Sequence, residues 1–185
     1  GGETVRKHSA PQRHTAGGQR VGGERVRHRR LGQGSRTRHP RRTVDQPRGV
    51  AVTSSFVYVA DTGNERVQVF LNGTGYSYYR KFGSSGDGHG QFSGPMDVAV
   101  DGAGNIYVAD CYNFRIEQFN SSRSYIGTYG TTGVPYMTDQ VHFYGPKRVA
   151  VASDGSVFLA EGQGRRVVQR DASGPPVASA GAPGV

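Results

Sequence analysis

The sequence predicts an all-β chain of repeated antiparallel sheets, and three observations carry that reading. The first is repetition. Pro47-Arg48-Gly49-Val50-Ala51-Val52, then Val57-Tyr58-Val59-Ala60-Asp61, then Arg66-Val67-Gln68-Val69-Phe70 recurs from Pro95 and again from Pro146. Asp61, Asp110 and Glu161 stand 49 and 51 residues apart, and Arg66, Arg115 and Arg166 keep the same intervals. The second is period-two alternation, as in Val98-Ala99-Val100 and Ile106-Tyr107-Val108, which sends successive side chains to opposite faces of a sheet. The third is turn chemistry between the runs, such as Asp101-Gly102-Ala103-Gly104-Asn105 and Ser153-Asp154-Gly155-Ser156. A period near fifty made of short strands points to β-propeller blades.

The blades begin only after a basic arm. Residues 1–45 hold 12 Lys and Arg against 3 Asp and Glu, which is the whole +9 of the chain; residues 46–185 hold 11 of each sign. The arm has no Phe or Tyr and four of the six histidines, so it cannot bury enough apolar surface to offset the entropy of ordering it. It is therefore expected to be disordered. Back-translated and read one base later, Gly22 to Arg30 permits a segment like the second strand of a blade, which makes the arm a candidate out-of-frame remnant. No run of eighteen apolar residues exists to span a membrane. The first residues lack the apolar stretch of a signal peptide and begin with Gly, so the chain reads as a piece of a longer one. Cys111 stands alone, which excludes an internal disulfide.

Within a blade, the strand ending at Asp61 resumes at Arg66 through Thr62-Gly63-Asn64-Glu65, a hairpin turn in which Gly63 and Asn64 tolerate positive φ at low cost. Tyr76 to Phe82 and Ser124 to Gly130 read as fourth, outer strands. The expected organisation is an arm over 1–45, blades over 46–92 and 93–143, and a partial blade with a Gly/Pro/Ala-rich tail over 144–185. Three four-stranded antiparallel sheets make an incomplete or open propeller, because closure takes about four to eight blades. A longer parent chain, completion by oligomerisation and loss of blades are all consistent with that number.

Ala-Asp, a short turn with Asn, and Arg-hydrophobic-x-x-Phe, preceded by Pro-x-x-Val-Ala-Val, resembles the NHL repeat over residues 46 to about 174. The third copy departs from it at Glu161, Gly164 and Arg170. Gly83 to Pro95 and Val141 to Pro146 look like that family's inter-blade connections. The Gly-His and Trp-Asp pairs of WD40 blades are missing. The resemblance implies that the residues entering each inner strand sit near the central channel. Here these are Arg48 with Gly49, Met96 with Asp97, and Lys147 with Arg148. Arg48, Met96, Asp97, Lys147 and Arg148 are accordingly the expected binding residues.

Other chemistry reads weakly. The pairs Asp61/Arg66, Asp110/Arg115 and Glu161/Arg166 recur in every copy, whereas an active site is a single constellation, so they are expected to be structural ion pairs. Gly83 to Gly90 lacks the Lys-Ser/Thr ending of a phosphate loop. His89 and His142 occupy corresponding linkers without a further metal ligand, and Asp97, Asp101 and Asp139 lack the alternating acidic spacing of a calcium loop. No catalytic residue, metal or cofactor is therefore expected.

The function this implies is a non-catalytic module of NHL type that binds a protein or small ligand on its propeller face. Self-association through open blade edges is expected as well, with only weak, sequence-blind polyanion binding by the arm. The Gly, Ser, Thr, Tyr and Asn content and the scarcity of Lys outside the arm mildly favour an extracellular or envelope location. Two further readings follow from relatives of this repeat. Some are lyases acting on amidated-peptide precursors at a metal-bearing channel, and others bind RNA on a basic face. The first would need a cluster of His with acidic or Tyr partners, and the second a positive blade region.

Overall fold

The computed structural model describes residues 43–131, 142–171 and 176–181. The first sheet contains β1 (Pro47–Val52), β2 (Phe56–Asp61), β3 (Arg66–Leu71) and β4 (Tyr78–Phe82). A short parallel pair, β5 (Ser84–Ser85) and β6 (Gln91–Phe92), folds the linker that follows. The second sheet contains β7 (Pro95–Val100), β8 (Ile106–Asp110), β9 (Arg115–Phe119) and β10 (Tyr125–Tyr129). The third contains β11 (Pro146–Val151), β12 (Val157–Glu161), β13 (Arg166–Arg170) and β14 (Pro176–Ala180). In each sheet the strands lie in chain order and pair antiparallel, which is the plan of a propeller blade. β7 lies between β1 and β11, so the first strand of each blade is the innermost. Among the described residues no helix is long and apolar enough to cross a membrane.

Each inner strand starts with a proline, opposite the acid that ends the next strand: Pro47 faces Asp61, Pro95 faces Asp110 and Pro146 faces Glu161. The first position of a strand tolerates a residue with no N–H to donate. The following residue is then skipped. Pairing resumes at Gly49, Asp97 and Arg148, which leaves Arg48, Met96 and Lys147 as bulged residues. A bulge bends the strand and re-aims the side chain it carries.

Alternation builds the joints between blades. Val98, Ile106, Val108 and Phe119 of the second sheet pack with Tyr58, Val67 and Val69 of the first, and Phe92 from the linker fills the middle. The second joint repeats this, with Val149, Val157, Leu159 and Val168 on Tyr107, Ala109 and Ile116, and Phe143 in the place of Phe92. Phe82, Phe92, Phe119 and Tyr125 meet edge to face at 5.0–6.4 Å between ring centres. Gly83, at φ +85°, allows this closure, because a Cβ there would lie 2.2 Å from the Phe92 ring.

The structure departs from the sequence reading in two places. The turns after Asp61 and Asp110 are single 3-10 turns, Thr62–Asn64 and Cys111–Asn113, and Gly63 and Asn64 do not take positive φ. The left-handed residue is the next one, Glu65 (φ 52°), Phe114 (φ 56°) or, in the third blade, Arg165 (φ 49°). Asn64 Nδ2 donates to Asp61 Oδ1 at 2.8 Å and Asn113 Nδ2 to Asp110 Oδ2 at 2.7 Å, which ties each turn to the acid before it; the third blade has Gly164 there and reverses at the same position. The second departure is β14, which comes from the Gly/Pro/Ala-rich tail beyond residue 174. Its Ala178 pairs with Gln169 and its Ala180 with Val167. That segment lacks the aromatic residues that mark β4 and β10, so its sequence carries little strand signal. The expected disorder of the arm and its remnant origin concern residues that, up to 42, lie outside the described ones, as do Asp139 and Val141.

Candidate functional site

The three acid–arginine pairs close the same latch. Asp61 and Arg66 stand opposite each other on β2 and β3, and Arg66 Nε donates to Asp61 Oδ2 at 2.6 Å. Arg115 Nε donates to Asp110 Oδ2 at 3.0 Å, and Arg166 Nε to Glu161 Oε2. The far end of each guanidinium reaches carbonyl oxygens of the segment entering the blade. Arg66 donates to Thr43 at 2.9 Å, Arg115 to Asp87, Gly88 and Gln91 at 2.6–2.9 Å, and Arg166 to His142 at 2.7 Å. The carboxylates in turn accept backbone N–H groups of those segments, from Asp45, Ser93 and Tyr144, each at 2.6 Å. Each buried pair is thus a two-ended clamp on the incoming linker, made of charge-assisted hydrogen bonds.

The second clamp carries an extra acid. Glu117 lies two residues beyond Arg115 on the same strand face, fully buried, 3.2 Å from Arg115 Nη2, and it accepts the Gly90 N–H at 3.1 Å. Burial pushes its carboxyl up to about 7 against the pull of Arg115, and the nearby Asp110 charge adds to the rise. Burial likewise pushes Asp110 up to about 6, against hydrogen bonds from Asn113, Ser93 and Arg115. The first blade has Gln68 at this position, donating to Asp61 Oδ2 at 2.8 Å and to the Thr43 carbonyl. There burial also acts upward, but bonds from the Asp45 N–H, Gln68, Arg66 and Asn64 outweigh it and hold Asp61 below its ordinary value.

A pH dependence follows. With both pKa values raised, the folded chain binds more protons than the unfolded one between the ordinary carboxylate range and about pH 7. Stability is therefore greatest at the acid end of that window and falls as the pH rises through it. Glu117→Gln should raise stability at pH 8 by about 1–2 kcal/mol and flatten the slope between pH 5 and 8. Urea melts across that range check it. An unchanged slope would place the titration elsewhere.

The bulged residues open onto the inner rim. Arg48, Met96, Lys147 and Arg148, with Pro47, line a cavity of about 490 Å³ at the mouth formed by the three inner strands. Three of these side chains are cationic, and among the described residues none of the three takes part in an ion pair. Asp97 does not line this cavity. Its Oδ2 accepts the Val149 N–H at 3.1 Å, and Gly49 makes room for it, since a Cβ there would lie 2.2 Å from Asp97 Oδ1. Asp97 therefore ties β1, β7 and β11 together. Met96 and Lys147 also border a second hollow of about 220 Å³, lined further by Cys111, Tyr112, Phe114 and Gln163. Sequence reasoning missed this lobe, because its residues come from turns of two blades that only packing brings together. It missed Glu117 as well, although its two-residue spacing from Arg115 was visible.

The remaining candidates have local partners. His89 stacks on Tyr125 at 4.2 Å, and Asp101 accepts the Ala103 and Asn105 N–H groups within its own turn. Burial pushes the Cys111 thiol up, away from the reactive thiolate. Among the described residues no three His, Cys, Asp or Glu side chains are grouped to hold a metal ion.

The family model described as NHL repeat matches residues 45–70 and 92–119. This chain carries NHL repeats. The matched NHL segments run from the latch-bearing linker to the third strand in the first two blades, while the third copy lies outside them. The chain is 36% identical to Protein brain tumor of Drosophila melanogaster over 85 residues, 45% of this chain and 8% of that protein. It is 32% identical to the probable peptidyl-alpha-hydroxyglycine alpha-amidating lyase pgal-1 of Caenorhabditis elegans over 89 residues, 47% of this chain and 25% of that protein. The matched stretches thus amount to a quarter or less of these relatives. Among solved structures, a streptogramin B lyase superposes with a TM-score of 0.58 at 14% identity, covering 77% of this chain and 43% of that one, a likeness of fold alone.

Proposed function

We propose that the chain is a non-catalytic NHL binding module whose inner rim receives an acidic segment of a protein partner. The observation that carries this reading is the mouth of about 490 Å³, where Arg48, Lys147 and Arg148 converge without a carboxylate among the lining residues. A concave site with one sign of charge focuses its field and attracts the opposite sign. Met96 and the neighbouring Tyr112 and Phe114 add apolar surface for the non-acidic side chains of such a segment. The lining of the mouth includes no His, Asp or Glu to act as general acid or base, which supports binding over lyase chemistry. Within residues 46–185 the two signs of charge balance, whereas a nucleic-acid backbone calls for a longer basic track.

The test uses the full chain and its Lys147→Glu/Arg148→Glu double variant, with the arm identical in both. Fluorescence anisotropy with a short Glu-rich peptide at near-physiological salt should show binding that the variant weakens by about tenfold or more. Equal affinity in both proteins would sink the proposal. So would tighter binding of a mixed-sequence single-stranded RNA that the same variant abolishes, which would favour the RNA reading.

A further inference from the structure

The two joints between blades differ at one seat beside the rim. At the first joint the buried Gly94 N–H, just before β7, donates to Glu65 Oε2 at 2.6 Å, and the Thr62 hydroxyl donates to the Pro95 carbonyl at 2.6 Å. The Tyr112 ring closes over Gly94, where a Cβ would lie 2.4 Å from it. At the second joint the repeat sets Gly145 in the place of Gly94, Phe114 in that of Glu65, Cys111 in that of Thr62 and Gln163 in that of Tyr112. The backbone is alike at both, with φ 61° at Gly94 and 65° at Gly145, and 52° at Glu65 and 56° at Phe114. Only the acceptor is gone. The Phe114 side chain has no atom to accept the Gly145 N–H, and among the described residues no other acceptor meets that buried donor. Buried N–H groups without a partner are rare, because the lost hydration is not repaid. Gly145 borders the hollow of about 220 Å³, with Met96, Tyr112 and Phe114 as its apolar wall and Lys147 as its cation. The Lys147 ammonium lies over the turn next to Gln163, since a Cβ on Gly162 would stand 2.9 Å from Nζ.

We propose that this hollow is the anchoring seat for one Glu or Asp side chain of the partner's acidic segment, whose carboxylate takes the position that Glu65 fills at the first joint and accepts the Gly145 N–H. The inference rests on the reading of the rim as the site of an acidic segment, and it names the anchor within it. The first joint shows that this backbone geometry holds a carboxylate. Lys147 supplies the opposite charge, and because it borders both the hollow and the mouth of about 490 Å³, a carboxylate seated here leaves Arg48 and Arg148 for further acids of the same segment. Met96, Tyr112 and Phe114 pack on the stem of the anchoring residue and keep water from its charge, which strengthens a charge-assisted hydrogen bond.

Phe114→Glu tests this in the full chain, with a Glu-rich peptide acetylated at its start and amidated at its end so that its only carboxylates are side chains. The substitution rebuilds the first joint's arrangement, so its own carboxylate fills the seat, and affinity for the peptide should fall by about tenfold or more. Phe114→Gln brings a neutral acceptor and should weaken binding with no change of charge, while Phe114→Leu brings none and should weaken it least. In the isotope-labelled parent the Gly145 amide proton should move downfield as peptide is added, and in Phe114→Glu it should stand downfield without peptide. If a variant fails to fold, the titration of the parent decides alone. Equal affinity of parent and Phe114→Glu, a Gly145 amide that does not shift, or a loss in Phe114→Leu as large as in Phe114→Glu would overturn the seat. The rim reading survives any of these results if Lys147→Glu/Arg148→Glu still weakens the peptide. A peptide that does not bind the parent, or one that the double variant holds equally well, would sink the rim reading and the seat with it.

Discussion

Arg115→Met should destabilise the chain by about 3–5 kcal/mol at pH 8, a large share of the about 5–15 kcal/mol that holds an ordinary domain folded. Arg115 is buried, neutralises Asp110 and Glu117, and donates to three linker carbonyls. Removing it leaves two buried carboxylates without a cation and three carbonyls without that donor. The loss should shrink as the pH falls to about 5.5, because both carboxyls already sit above their ordinary range and protonate readily once the guanidinium is gone. Chemical denaturation at the two pH values reads this directly. A loss equal at both would mean that the carbonyl contacts, not the charges, dominate. The equivalent change at Arg66 should show less pH dependence, since Gln68 replaces the second acid there.

Phe92→Ala should cost about 3–5 kcal/mol at any pH. Phe92 is fully buried at the first joint, against Phe82 and Phe119, and it comes from the linker rather than from either four-stranded sheet. Truncation leaves a cavity between two blades, and the rings around it have backbones held in separate sheets that cannot collapse inward. Native-state hydrogen exchange should then show loss of protection on β7 to β9 and on the facing strands β2 and β3. Exchange confined to the linker would mean that the blades hold together without it.

Much of the fold is legible from Pro47, Asp61 and Arg66 and their two later copies, because a repeated residue in a repeated place meets the same local demand each time. The proline that starts a strand, the acid that ends one and the arginine that starts the next depend on near neighbours. So do the alternating valines. β14 was hidden, since its small residues carry no strand preference of their own and pair only because β13 offers an open edge. The position of the left-handed residue was hidden too, since Glu65, Phe114 and Arg165 are not residue types that favour such a conformation.

The candidate site divides along the same line. By itself the sequence determined, through its repeat, which residues enter the inner strands; that Arg48, Met96, Lys147 and Arg148 line one cavity is seen in the structure. Only the tertiary structure decided that Asp97, one residue from Met96, serves the joint of three strands instead, and that Cys111, Tyr112, Phe114 and Gln163 extend the rim into a second lobe. The physical reason is distance along the chain. A bulge and a strand start are set within a few residues, whereas the partner of a carboxylate such as Asp97 is a backbone N–H 52 residues away, and no local pattern encodes which blade will supply it.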